Sequence, residues 1–286
     1  MEIGKLKTSK STKELLEFGI ININKPSGPT SFQVSEQVKK ILNVKKTSHF
    51  GTLDPKVTGV LPIALNRACK LTGFFLGENK TYVGIMRVHE EISKEKVENA
   101  IKEKFLGIIS QLPPVKSRVA RKVREREIIS FKILEQDGQD FLFEVECQGG
   151  TYIRKLIHDL GEELGIGAHM LELRRTRAGI FDEKESYTLY DLEKAINDEQ
   201  KLKEMIIPGE IISELYPVIE VKKEPVDRIL HGQPIYEKDL LKKSNIEKDK
   251  KICVFSEEKF IGVFKVIDEG KIFAKSEFTM QEIKYI

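Results

Sequence analysis

The chain of 286 residues is 40% hydrophobic and 33% charged, with a formal net charge of +3 and a pI near 8.5. That balance excludes a disordered chain and is long enough for one large domain and one small one. No apolar run approaches the roughly 20 residues that span a bilayer, and the opening MEIGKLKTSKSTKELLEF lacks a signal-peptide core, so a cytoplasmic protein without a membrane association is expected.

In chain order, GIININ reads as an alternating strand, Lys25-Pro26-Ser27-Gly28-Pro29 as a turn, and Thr30 or Ser31 as a helix cap. Val34, Val38, Ile41 and Leu42 then line one stripe of a helix. Residues 49–62, HFGTLDPKVTGVLP, read as a loop. KTYVGIMRV (80–88) is strand-like, and SKEKVENAIKEKF (93–105) is a short amphipathic helix ahead of Pro113-Pro114. FLFEVECQ (141–148) alternates Phe141, Phe143, Val145 and Cys147 against Glu144 and Glu146, as a half-buried antiparallel strand does. GGTYIRKLIHDLGEELGIG predicts a helix with Ile153, Leu156, Ile157, Leu160 and Leu164 on one stripe and Gly165 as its C-terminal cap; Arg154 lies off that stripe. A further helix is expected near YDLEKAI, and Pro208-Gly209 breaks the chain. Beyond it come short strands, including a hairpin over 252–267 that turns at Glu257-Glu258-Lys259.

Cys69, Cys147 and Cys253 form no C-x-x-C pair, and the five histidines show no H-E-x-x-H spacing, so neither a disulfide framework nor a metal site is expected. Positive charge is concentrated. VKSRVARKVRERE (115–127) and RRTR (174–177) would bind a polyanion through phosphate contacts, or form an ordinary solvated face. On the first reading Lys116, Arg118, Arg121, Lys122, Arg174 and Arg175 are phosphate contacts to that polyanion.

Asp54 is the one acid in the loop of residues 49–62. A carboxylate can act alone as a covalent nucleophile where its geometry is held and a cation keeps it ionised. A haloacid-dehalogenase-type site would need a second acid at the position of Lys56. A glycosidase-type pair stays open, since its partner can be distant in sequence. An aspartate that merely caps a turn is the structural alternative.

Taken in order, KPSGPTS (25–31), HFGTLDPKVTGVLP (49–62), KTYVG (80–84), QLPPVKSRVARKVRERE (111–127) and GGTYIRKLIHDLGEELGIGAHMLELRRTRAG (149–179) resemble the TruB family of RNA pseudouridine synthases across most of residues 15–182. RVHEEISKEKVENAIKEKF and the Pro-Pro plus basic run are similar to the dyskerin branch, the enzymes guided by H/ACA RNAs. VKKEPVDRILHGQPI (221–235) resembles the start of that branch's PUA module. The lack of long Lys-rich tails fits an archaeal-type, cytoplasmic member; a eukaryotic one would be nucleolar.

The resemblance implies an α+β pseudouridine synthase fold: a mixed, largely antiparallel sheet with flanking helices and a cleft across it, plus a small β-barrel-like PUA domain. It places an N-terminal extension at 1–14, the catalytic domain at 15–210 and the PUA domain at 214–286. By similarity Asp54 is the nucleophile, attacking either uracil C6 or ribose C1′. Tyr82 is expected as a catalytic residue that stacks on the target base and takes part in proton transfer, and Arg154 pairs with Asp54. Tyr152 and Leu173 wall the pocket, and His49 approaches the flipped nucleotide, whose extrusion costs a few kcal/mol. Lys25 and Pro26 are expected to buttress the loop, with Gly51 and Gly59 turning it tightly. Phe50 departs from the small residue expected after His49, and the sequence does not say what its bulky ring does to His49. No cofactor is implied.

The implied partners are an H/ACA guide RNA with its target rRNA, a small zinc-ribbon-like protein, a glycine-arginine-rich-family protein and a kink-turn-binding protein. Two other readings stand beside guided rRNA modification: a guide-independent enzyme for the tRNA T-loop, and a ribonucleoprotein scaffold.

Overall fold

The computed structural model describes residues 3–113 and 120–281. The chain divides into two compact units, one running from Thr12 to Ile207, the other formed by the residues up to Ser11 together with the chain from Pro208 onward. Residues 3–11 thus group with the chain beyond Pro208. Helix α1 (Ile3–Ser9) buries Leu6, and Lys10 forms an ion pair with the buried carboxylate of Glu210. Helix α2 (Thr12–Glu17), expected in part within the extension, instead opens the larger unit and buries Leu15 completely.

The larger unit is built on a ten-stranded mixed sheet. Its strands are β1 (Gly19–Lys25), β2 (Thr47–His49), β3 (Thr58–Leu65), β4 (Lys80–Val88), β5 (Gly107–Gln111), β6 (Arg124–Asp137), β7 (Asp140–Cys147), β8 (Ala168–Ala178), β9 (Phe181–Asp182) and β10 (Ile206–Pro208). The order is β10-β1-β3-β8-β4-β7-β6-β5, with β2 on β3 and β9 on β8. β3 and β8 run parallel, while β1–β3, β8–β4, β4–β7, β7–β6 and β6–β5 are antiparallel. The sheet is mixed and largely antiparallel, as expected.

Helices α3 (Ser31–Ile41), α4 (Thr72–Leu76), α5 (Lys94–Lys104), α6 (Ile153–Glu163), α7 (Leu189–Ala195) and α8 (Glu199–Met205) complete the unit. Thr30 caps α3 in a reciprocal box with Gln33, which satisfies two backbone donors that the first turn would otherwise leave open. Helix α6 buries Ile153, Leu156, Ile157 and Leu160, four of the five stripe residues, and the chain leaves it through Gly165 at φ +71°. Those side chains join Met86, Phe141, Phe143, Val145 and Ile128 from the sheet in one apolar core. Residues 58–62, expected as loop, form the start of β3 despite Pro62.

The smaller unit carries a curled five-stranded half-barrel sheet, in the order β11 (Val218–Glu220), β13 (Lys251–Ser256), β14 (Lys259–Glu269), β15 (Ile272–Thr279) and β12 (Ile235–Tyr236), together with helix α9 (Val226–Leu230). The expected hairpin is present as β13 and β14, paired from Lys251↔Lys265 to Ser256↔Lys259. Ile252, Val254, Ile261, Phe264 and Phe273 fill its core. Among the described residues no helix is long and apolar enough to cross a membrane.

Candidate active site

The site is organised by the edge of β3 opposite β1. Two strands share that edge, β2 at Ile63–Leu65 and β8 at Thr58 and Gly59, and the chain between β2 and β3 loops out where they part. Asp54 stands on this loop. Glycine is required at its C-terminal end, because Gly59 lies at φ +99° and a Cβ there would sit 2.2 Å from the Arg175 carbonyl oxygen.

Three interior side chains hold the loop. The buried Lys25 ammonium donates to the carbonyls of Pro26 (2.8 Å), Pro55 (2.9 Å) and Val57 (2.8 Å), which ties the turn after β1 to the residues following Asp54. Burial pushes the Lys25 pKa down, and the nearby Asp54 charge partly offsets this. The Ser31 hydroxyl accepts from Leu53 N–H (2.7 Å) and donates to Leu53 C=O (2.9 Å), fastening the residue before Asp54 to the first turn of α3. Arg175 Nε donates to Val60 C=O (2.7 Å) and one Nη to Gly51 C=O (3.1 Å), closing the loop from beneath. Lys25 is thus the buttress that was expected. Ser31 and Arg175 were not expected in this role.

Arg154 comes from the first turn of α6 and places a guanidinium nitrogen 2.7 Å from Asp54 Oδ2. Both partners remain accessible, Arg154 at 61% and Asp54 at 47% side-chain exposure. The carboxylate is therefore oriented and still reachable from solvent. The start of α6 is set in turn by the buried Gln111 amide, which accepts from Tyr152 N–H (2.9 Å) and donates to Tyr152 C=O (3.2 Å).

Tyr82 and Leu173 lie on adjoining strands, with Tyr82 paired to Arg175 and Gly84 to Leu173 across β4 and β8. Tyr82 is 8% exposed, so it presents only an edge to solvent. Burial raises the Tyr82 pKa above the ordinary phenol range, and the charge of Arg175 opposes that rise. His49, at the end of β2, is half-buried with Nε2 3.1 Å from Thr52 Oγ1. Burial lowers the His49 pKa and Arg175 lowers it further, which favours the neutral imidazole near pH 7.

The Phe50 ring turns inward, 1% exposed, stacked on Phe75 at 4.6 Å and packed against Phe181 at 5.9 Å. Such stacking contributes about 0.5–1.5 kcal/mol beyond area burial and anchors the loop's N-terminal end.

The basic residues separate into groups. Lys116 and Arg118 lie outside the described residues. Arg121 and Lys122 are exposed. Arg174 is half-buried, with Nε 2.7 Å from Glu183 and an Nη 3.1 Å from Asn24 Oδ1. Arg175 departs from expectation: at 1% exposure it faces the interior and cannot meet phosphate where it stands. The parity of β8 explains this, since Leu173 and Arg175 occupy inward positions while Arg174 lies between them. Lys80 follows the same rule on β4 and is 4% exposed. Its ammonium caps the carbonyls of Leu76 and Glu78, and burial, helped by Arg175, pushes its pKa down to about 8. Inward parity beside Tyr82 and Leu173 was the available signal for both residues.

The family model for the TruB pseudouridylate synthase N-terminal domain matches residues 39–153, and that for the tRNA pseudouridylate synthase B C-terminal domain matches 154–213. A probable tRNA pseudouridine synthase B of Methanopyrus kandleri is 48% identical over 77% of this chain and 67% of its own length. The chain belongs to the TruB family. It is accordingly an enzyme, an RNA pseudouridine synthase that isomerises uridine. Another probable tRNA pseudouridine synthase B, from Archaeoglobus fulgidus, is 44% identical over 87% of this chain and 78% of its own. Among solved structures, Cbf5 in a Cbf5-Nop10-Gar1 complex matches with a TM-score of 0.87 at 36% identity, covering 96% of this chain and 88% of that one. An H/ACA ribonucleoprotein bound to a substrate RNA containing 2′-deoxyuridine matches with a TM-score of 0.86 at 34% identity, over 96% and 89% of the two chains. This TruB-family chain therefore resembles the Cbf5 structure over both of its units.

Proposed function

We propose that this enzyme converts guide-selected uridines of rRNA to pseudouridine, with Asp54 as the nucleophile. The observation that carries the chemistry is the 2.7 Å pair between Arg154 and Asp54, on a loop otherwise held by backbone contacts to buried side chains. A flipped uridine entering beside Tyr82, Tyr152 and Leu173 would meet an oriented, solvent-reachable carboxylate. Attack at ribose C1′ would form a transient ester as the C1′–N1 bond breaks, whereas attack at uracil C6 would add across C5=C6 before that bond breaks; in either case the carboxylate is released and the C5 proton is lost as N1 gains one. Detachment, rotation and rejoining through carbon 5 involve no net redox change and call for no external group. His49 would face the nucleotide from the other end of the loop.

Guided action is supported by the likeness to Cbf5 across 96% of the chain, which includes the half-barrel unit. On this reading the partners are an H/ACA guide RNA, a small zinc-ribbon-like protein, a glycine-arginine-rich-family protein and a kink-turn-binding protein, and the half-barrel unit acts as a PUA module that holds the guide's 3′ ACA end. Arg121, Lys122 and Arg174, with Lys116 and Arg118, would contribute phosphate contacts. The names of the relatives, probable tRNA pseudouridine synthases B, favour a second reading: direct action on the tRNA T-loop. Mapping pseudouridine after incubation with tRNA transcript alone, and with an H/ACA guide, target RNA and the partner proteins, separates the two. Modification that requires the guide is expected; tRNA modified by the isolated chain with no response to guide would favour the second.

A further inference from the structure

Arg175 is a buried cation with no carboxylate paired to it among the described residues. A guanidinium cannot shed its charge in a protein, and burying one is costly unless its donors are satisfied. Where its donors go therefore shows what the fold retains it for. They go to Val60 C=O at 2.7 Å and to Gly51 C=O at 3.1 Å. Gly51 and Val60 bracket the loop that carries Asp54, and Tyr82 stands opposite Arg175 in the β4–β8 ladder. The close approach also uses Gly51 itself, where a Cβ would lie 3.3 Å from an Arg175 Nη.

The geometry points to Arg175 as a positioning residue for pseudouridine synthesis: one rigid guanidinium fork holds both ends of the Asp54 loop at a constant separation. Arg175 touches no reacting atom and acts through the loop that carries Asp54, so the inference rests on the reading of Asp54 as nucleophile. A lysine ammonium is a point donor on a flexible stem and cannot reproduce the fixed, in-plane directions of Nε and Nη that reach the two carbonyls. The charge alone is then insufficient, and the fork is what matters.

The test compares Arg175→Lys and Arg175→Met with wild type and Asp54→Asn, in the full chain, on whichever RNA the guide and tRNA assays show to be modified. Single-turnover isomerisation and RNA affinity across a salt series are measured at a temperature where circular dichroism shows the variants folded. The expected result is unchanged affinity and salt slope, a rate at least about tenfold lower in Arg175→Lys, and a lower one still in Arg175→Met. If Arg175→Met does not fold, Arg175→Lys alone decides. A purely structural role would lower the melting temperature of Arg175→Lys but leave the folded protein within twofold of the wild-type rate, and that result overturns the inference. Weaker binding with a shallower salt slope also overturns it, marking Arg175 as a phosphate contact instead. With Asp54→Asn inert, either outcome removes the Arg175 assignment alone; turnover surviving in Asp54→Asn removes the nucleophile reading and this inference with it.

Discussion

Arg154 and Asp54 face each other at 2.7 Å with 61% and 47% of their side chains exposed. A pair so wet contributes only about 0–1 kcal/mol to stability. Its value lies in orienting a carboxylate. Arg154→Ala is accordingly expected to leave urea unfolding within about 1 kcal/mol of wild type while lowering single-turnover isomerisation by more than about tenfold; proportionate losses of stability and rate would contradict this. Lys80 presents the opposite case, an ammonium at 4% exposure whose folded-state pKa lies near 8, below the ordinary 10.5. The unfolded chain then binds a proton that the folded chain lacks between those values, so stability rises as pH increases from 8 toward 10.5 and the deficit is fully present below 8. The difference in unfolding free energy between wild type and Lys80→Met should climb by up to about 3 kcal/mol across that window. A flat difference would show that Lys80 is not desolvated.

At the scale of elements, the position of Arg154 depends on how closely α6 approaches β8. A Cβ on Gly161 would lie 2.1 Å from the Ala168 backbone nitrogen, so only glycine permits the contact. Gly161→Ala should destabilise the larger unit by about 1–3 kcal/mol and, by tilting α6, reduce turnover further than the loss of folded protein explains. Parallel unfolding and activity measurements check this. Elements with a clean period were legible in the sequence: β4, the stripe of α6, and the β13–β14 hairpin. β3 was hidden by Gly59 and Pro62, which normally punctuate a strand, although its partners β1, β2 and β8 accommodate both. β8 was hidden by its arginines, whose charges read as surface. What sends Arg175 inward is strand parity together with carbonyls on β3 and its preceding loop, supplied by residues more than 100 positions away. No local pattern carries that information. The Asp54–Arg154 pair was legible only through motifs in chain order, since the intervening sheet brings the two together.

Over the whole molecule the net charge is only +3, so RNA affinity must come from local concentrations of positive charge and not from the overall field. Arg121 and Lys122 are exposed and have no part in the Asp54 loop. Replacing both with alanine should weaken RNA binding and reduce the slope of log affinity against log salt by about 1–2, with the single-turnover rate at saturating RNA unchanged. An unchanged slope would make the segment an ordinary solvated face. The proposed chemistry turns on a single carboxylate, held in place by a loop that Lys25, Ser31 and Arg175 fasten from the interior. The most direct measurement is the isomerisation rate of Asp54→Asn alongside its RNA affinity: binding near wild type with no detectable pseudouridine is predicted, whereas product formed at a substantial fraction of the wild-type rate would contradict the assignment.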